Sequence, residues 1–389
     1  MTLDRKSTAI FWFSAGVSAA LMMSTNVASG IYPIYKQSGT LSAFQITEVF
    51  ATYIAGLMPV LLVSSWIVST FGLRIVIAVA LVLASVGTAT MASASTLMSF
   101  VLARVLQGIA VGLSTGNLAA AIVRFEPNND HHRAALTTGL AMTIGGGSAP
   151  IGAAIVAERV AHPTYVPYLL VTMLLLLLIP GCFLLPSERQ MTVSPITRPN
   201  IPEYVRNVFK RSAGAAFLSW SVTATFLSVV PVAVSAYLAP GDLLGPALSA
   251  GAILIISGIT QSLSGRIMPE RKLKVGYSVL ILAAITLIVG EILGSVPLVL
   301  VSSIIGGIGH GLTFLGASRV LNVAIAGKVE RAEVLAAYNV AIYCGVGLPP
   351  LCVGALSAIM STTSAVCLFG TFVMLMAGYG MSHRATKTV

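Results

Sequence analysis

Val166–Leu185 reads VPYLLVTMLLLLLIPGCFLL, twenty residues without a charge. Wound as a helix at about 1.5 Å per residue, such a run is ~30 Å long, the thickness of a bilayer's hydrocarbon core. A surface helix of a water-soluble domain keeps a polar face, and this stretch has none. Working outward from it, eleven further apolar runs appear. The twelve segments are 8–32, 43–68, 74–93, 96–123, 134–158, 164–185, 213–238, 246–268, 273–292, 296–325, 332–359 and 363–382.

Composition agrees. Of 389 residues, 56% are hydrophobic and 9% charged, against about 25% charged in ordinary soluble domains. Membrane barrels show ~10-residue alternating segments, and the sequence has none. The expected fold class is an all-α membrane protein with twelve transmembrane helices. The formal charge of +10 could suggest nucleic acid, but the basic residues sit in short loops between apolar runs. They set topology, and no nucleic-acid partner is expected. Cys182, Cys344, Cys352 and Cys367 all fall inside apolar runs and read as small buried hydrophobes. The first run is longer than a signal-peptide h-region and lacks a clear cleavage site, so it reads as the first spanning helix.

Most linkers are short. The exception, Pro186–Ser212, is polar and broken by prolines. It divides the chain into a six-helix half at 1–185, a cytoplasmic linker at 186–212 and a second half at 213–389. Lys and Arg set the orientation. With the N-terminus inside, eighteen fall in cytoplasmic segments, among them Arg189, Arg266, Arg384 and Lys387. Only Lys36 and Arg159 lie on the other side, and Arg104 and Arg319 fall within helices. The expectation is a multi-pass protein of a plasma membrane, a bacterial inner membrane, with both termini cytoplasmic.

The halves resemble one another. Gly108-Ile-Ala-Val-Gly-Leu-Ser114 aligns with Gly307-Ile-Gly-His-Gly-Leu-Thr313 at an offset of 199. Arg133-Ala134 aligns with Arg331-Ala332 at 198, and Pro150 with Pro349 at 199. Two parallel six-helix repeats imply a substrate cavity between the halves near the midplane.

Charges inside the hydrocarbon cost a few kcal/mol, so intramembrane ionisable groups are functional candidates. Those read here are Glu48 in the second segment, Arg104 in the fourth, and His310 and Arg319 in the tenth. Arg104 lies about eight residues, roughly 12 Å, into its segment, and Glu48 is at comparable depth. Protonating Glu48 would release the arginine, giving a proton-linked switch; a static buried pair fixing helix register is the alternative. His310 could relay a proton near neutral pH or stay neutral in a hydrogen bond to a neighbouring helix. Arg319, near the cytoplasmic end, snorkels.

Gly108, Gly112 and Gly116 recur every four residues, as do Gly307 and Gly311. This spacing lets helices approach closely, either as packing or as a sliding surface. Gly146 with Pro150, and Pro349 in the eleventh segment, mark helices with freed carbonyls, which produce a kink at a domain interface or passive bending. Asn26, Tyr53, Gln107, Asn117, Gln261, Asn339 and Tyr343 are the polar candidates for a substrate cavity. No phosphate-binding GxxxxGK[ST] run, catalytic constellation or metal-ligand cluster is present, so neither an ATP-driven pump nor an enzyme is indicated, and no cofactor is expected.

Several motifs resemble the major facilitator superfamily, and within it the twelve-helix drug:proton antiporters. Tyr32-Pro33-Ile34-Tyr35 followed by Leu41–Ile46 is similar to the end of the first helix and the entry to the second in those exporters. Arg104-Val-Leu-Gln107-Gly108 matches the fourth-helix RxxQG signature, whose arginine the resemblance ties to proton coupling. Gly145–Ala154, with Pro150, resembles the exporters' fifth-helix motif, though Ala149, Ala153 and Ala154 stand where that motif has glycine. The family's second-loop pattern G-x-L-x-D-R-x-G-R-R appears as Ser65–Arg74, with Ser69 for the aspartate and Thr70 for the arginine, leaving Gly72 and Arg74.

The resemblance implies a monomeric secondary transporter, with lipid, protons and a small organic substrate as its partners. Efflux by alternating access is the expected function; proton symport or facilitated uptake is the alternative. A non-transporting sensor or scaffold is the remaining class. It would be expected to carry a large soluble domain or a long tail, and the sequence given has seven residues after Ser382.

Overall fold

The computed structural model describes residues 2–187, 198–265 and 267–382, with the side chains of 2–4 left aside. Arg189, Arg266, Arg384 and Lys387, and the linker stretch 188–197, lie outside the described residues. Among the described residues there are helices and no strands.

Twelve helices among the described residues are long and apolar enough to cross a membrane. They are α1 Arg5–Gln37, α2 Ala43–Phe71, α3 Leu73–Ser93, α4 Leu97–Arg124, α5 His131–Ala157, α6 Val166–Leu184, α7 Glu203–Ser235, α8 Leu244–Leu263, α9 Pro269–Ile292, α10 Val296–Ala324, α11 Arg331–Leu356 and α12 Thr362–Ser382. The largest departure from the sequence reading is α7, which begins ten residues before 213. Its first turns carry Glu203, Arg206, Lys210 and Arg211, which hydropathy scores as linker although a helical backbone accommodates them.

Local signals set the helix ends. Thr96 and Ser99 exchange side-chain and backbone hydrogen bonds in a capping box that starts α4. Asp130 accepts from the backbone N–H groups of His132 and Arg133 to start α5. Gly72 alone separates α2 from α3, at φ 84°, a left-handed conformation that glycine adopts without a Cβ penalty.

The chain divides into two compact units, Met1–Ile31 with Thr52–Ile196, and Tyr32–Ala51 with Thr197–Val389. In the first, α1 packs on α4, α5 and α6, and α3 packs on α4 and α6. In the second, α7 packs on α10 and α11, and α9 packs on α10 and α12. The same partners therefore recur six helices later, as the internal repeat requires.

The glycines act where backbones meet. A Cβ on Gly108 would land on the Tyr53 carbonyl, and one on Gly112 would lie 2.8 Å from the Leu57 carbonyl. In the second unit, Cβ atoms on Gly307 and Gly311 would come within 2.7 and 2.8 Å of the Ile253 and Ser257 carbonyls. Gly116, grouped with these by spacing, faces open space; the four-residue period outlasts the contact. In α5, a Cβ on Gly145 would strike Ala19 of α1, and Gly30 abuts the Pro150 carbonyl. Pro150 has no N–H, so the Gly146 carbonyl four residues earlier loses its helical donor. Pro349 and Pro350 do the same to the carbonyls of Gly345 and Val346 in α11.

Candidate functional site

The first unit buries a guanidinium. Arg104 is 1% exposed, and its Nη1 donates to the Thr25 carbonyl at 2.7 Å and to Gln107 Oε1 at 3.0 Å. Its Cζ lies 5.5 Å from the centre of the Tyr53 ring, within cation–π range. Gln107 completes the arrangement: its amide donates to the Ser24 carbonyl at 2.9 Å and to Thr88 Oγ1 at 3.2 Å. Arg104, Tyr53 and Gln107, proposed separately from sequence for coupling and for the cavity, thus form one network joining α4 to α1, α2 and α3. Glu48 is half-buried on the stretch of α2 that groups with the second unit.

Other polar candidates of this unit lie elsewhere. Asn26 donates to the Met22 carbonyl and to Thr25 Oγ1 at the end of the α-helical part of α1. Asn117 donates to the Leu113 carbonyl and lines a cavity of about 280 Å³ with Ser65, Ser69, Arg124 and Pro186. Ser69 and Thr70, at the places of the family's aspartate and arginine, spend their hydroxyls on the Trp66 carbonyl. Arg74 keeps an anchoring role: Nε donates to the Leu185 carbonyl at 3.0 Å, Nη2 to Phe183 at 3.1 Å, and Cζ lies over the Phe183 ring. It therefore fastens the start of α3 to the end of α6.

The fourth–fifth helix loop adds a clamp. Glu126 accepts from the backbone N–H groups of Asn128 and Asp130 and from Arg133 Nη1 at 3.2 Å, while Arg133 lies over the Phe11 ring. Asp130 is held below the ordinary carboxylate range. The Arg133 backbone N–H is the largest cause; the His132 N–H and the neighbouring charges of His132 and Arg133 add to it, and partial desolvation opposes it.

In the second unit His310 is enclosed, with 1% exposure. Its Nδ1 is 2.6 Å from Ser257 Oγ, and Gln261 Nε2 donates to the same oxygen at 3.0 Å. With that amide donor in place, the serine hydroxyl is free to donate to Nδ1, which puts the neutral ring's proton on Nε2. The ring stacks on Phe314 at 5.7 Å and meets Trp220 edge-on at 4.9 Å. Among the described residues, His310 Nε2 and Trp220 Nε1 are buried without hydrogen-bond partners. The structure thus joins Gln261 and His310, expected in different roles, and adds Trp220, which the sequence reading passed over because one tryptophan in an apolar helix carries no pattern. Asn339 and Tyr343 are half-buried in α11.

The sequence candidates leave out a buried acid of this unit. Glu291, in the last turn of α9, is 2% exposed and accepts from Tyr237 at 2.7 Å. The signal was available, an acid one residue from the end of an apolar segment.

No curated protein matches this sequence. Solved structures do, at low identity. A POT family transporter in complex with 5-aminolevulinic acid matches with a TM-score of 0.76 at 14% identity, over 96% of this chain and 95% of that one. A bacterial homologue of the human lysosomal transporter Spinster gives 0.70 at 15%, over 97% and 95%. The xylose transporter XylE from E. coli gives 0.72 at 13%, over 99% of each chain. At these identities the likeness is one of fold. The sequence itself matches the Major Facilitator Superfamily over residues 13–350. Twelve apolar helices, a repeat of partners six helices apart and a family match across most of its length together place the chain in the Major Facilitator Superfamily, as a multi-pass secondary transporter.

Proposed function

We propose that the chain exports a small organic molecule in exchange for protons, its bundles at 1–185 and 213–389 alternating access about the 186–212 linker, with the N-terminus cytoplasmic. The observation that carries this is the enclosed guanidinium of Arg104. A buried charge is expensive, and a rigid scaffold would do as well with an apolar residue of similar volume. Glu48 is its proposed coupling partner. Ionised, Glu48 competes with substrate for the arginine; protonated, it releases the arginine, so proton and substrate bind in alternation. A ligand shifts such an equilibrium only by binding the two states unequally, and the proposed exchange of a proton for the arginine at Glu48 would provide that inequality.

His310, the third coupling candidate, and Gln261 form the second unit's half of the proposed substrate path. Asn26, Asn117, Asn339 and Tyr343 are proposed to line it. The fifth-helix resemblance supports export over symport or facilitated uptake, and one experiment separates the directions. Metabolites inside and outside cells with and without the gene are compared, and the compound that changes most is followed in everted membrane vesicles. An inside-acid gradient should drive its accumulation, and Glu48→Gln should abolish the pH dependence while substrate still binds. Accumulation indifferent to the gradient removes the antiport reading, and gradient-driven loss from the vesicles reverses the direction.

A further inference from the structure

The far end of the second unit from the linker carries a carboxyl group that the coupling scheme does not use. Glu291 Oε2 accepts from the Tyr237 hydroxyl at 2.7 Å, and that oxygen lies 3.0 Å from Thr363 Oγ1. The tyrosine also lies 3.2 Å from the Glu291 carbonyl, which takes the N–H of Gly294 at 3.3 Å in the turn ending α9. Glu291 Oε1 is buried with no hydrogen-bond partner among the described residues. The site joins three elements: the residues just beyond α7, the end of α9 and the start of α12.

The proton inventory is short. A phenol has one hydrogen, which the shortest contact assigns to Oε2, so the Thr363 hydroxyl donates to the tyrosine oxygen. Among the described residues nothing is left to donate to Oε1. No basic residue stands in the last turn of α9, where the helix dipole presents its negative end. The described ion pairs do not include Glu291. The other titratable groups facing it are Tyr237 and, from α12, the Cys367 thiol; α10 contributes Leu298 and Val299 against Gly290. An ionised carboxylate would hold a full charge on one donor, whereas a proton on Oε1 removes the charge and leaves Oε2 its acceptor bond.

We infer that Glu291 is a proton-binding site of the second unit, separate from the Glu48–Arg104 pair, with its proton on Oε1 while Tyr237 and Thr363 close over it. Binding is the addition of H⁺ to a carboxylate. Release requires water or a donor to reach Oε1, which means parting the three elements that enclose it.

The test uses the purified full-length protein in lipid and needs no substrate, so its outcome is separate from that of the export reading. Infrared difference spectra of wild type and Glu291→Gln should differ at neutral pH by a carboxylic-acid carbonyl band that moves in heavy water. Tyr237→Phe, which removes the only donor to Oε2 among the described residues, should carry that band to higher pH. Coinciding spectra at neutral pH overturn the proposal, as does a Tyr237→Phe titration identical to wild type should the glutamine variant fail to fold. A band that emerges only when sodium is replaced by potassium at fixed pH also overturns it, by making the site one for a metal cation.

Discussion

Arg104 and Gln107, one turn apart on α4, share a hydrogen bond of 3.0 Å, and each also reaches a backbone carbonyl of α1, Thr25 for the arginine and Ser24 for the glutamine. The signature's two polar residues therefore act as one unit. Gln107→Leu should lower thermal stability by roughly 2–4 kcal/mol, since it removes a buried hydrogen bond to a charged group and two neutral ones. Arg104→Lys keeps the charge but loses the planar fork, and it should cost transport at least as much as stability. Melting curves and uptake assays on the same membranes read both effects. A Gln107→Leu protein as stable as wild type would show the network to be ornamental.

The glycines allow a paired comparison. Gly108→Ala drives a methyl into the Tyr53 carbonyl and Gly307→Ala one towards that of Ile253. Each should destabilise by about 1–3 kcal/mol, the usual cost of overpacking. Gly116→Ala meets nothing within 4 Å and should be neutral or stabilising by up to ~1 kcal/mol, the helix-propensity gain. Tm values for the three variants decide the point. Equal losses would mean that α2–α4 spacing does not limit stability.

These glycines also show what sequence could and could not reveal. Twelve runs, the linker and the repeat are one-dimensional patterns, because a spanning helix must be apolar along its whole length. That Gly108 and Gly112 meet a neighbour and Gly116 does not depends on where α2 leaves α4, which no period encodes. The Arg104–Gln107 pair was legible because it is local, one turn apart on one helix. The clusters of His310 with Ser257 and Trp220, and of Glu291 with Tyr237 and Thr363, bring together residues 53 to 126 positions apart, and single polar residues scattered through apolar helices give no spacing to read.

Ser257 stands between Gln261 and His310, so their contributions should not add. Ser257→Ala deprives both neighbours, whereas Gln261→Leu deprives only the serine. The double variant should be less destabilised than the sum of the singles, with a coupling of about 0.5–3 kcal/mol. Strict additivity in a thermal double-mutant cycle would show that the 3.0 Å bond from Gln261 to Ser257 carries no energy.

Asp130 gives a pH dependence outside the apolar spans. Its carboxyl is held low chiefly by the Arg133 backbone N–H, so the folded chain binds that proton less readily than the unfolded one. Stability from the cap is therefore complete above the ordinary carboxylate range and is lost as pH falls through the lowered value. The gap in Tm between wild type and Asp130→Ala should be widest near neutral pH and close in acid. Asp130→Asn, a neutral cap, should show little of this trend. A gap that persists unchanged into acid would mean that the charge plays no part.

Arg74 tests whether the altered second loop still holds its helices. The side chain reaches the carbonyls of Phe183 and Leu185 and lies over the Phe183 ring, so it ties α3 to α6 without the aspartate found in the family pattern. Lysine keeps the charge but lacks the planar fork that spans the two carbonyls, and it stacks poorly. Arg74→Lys should therefore lose most of what Arg74→Ala loses, about 1–3 kcal/mol for charged-donor hydrogen bonds. Ser69→Asp restores the family's acid in the cavity that Arg124 also lines. If that cavity marks a missing charge pair, the variant should melt higher at low salt, with the gain fading as salt screens it. A Ser69→Asp protein that melts lower at every ionic strength would show that the loop has been rebuilt around Arg74 and no longer accommodates the acid.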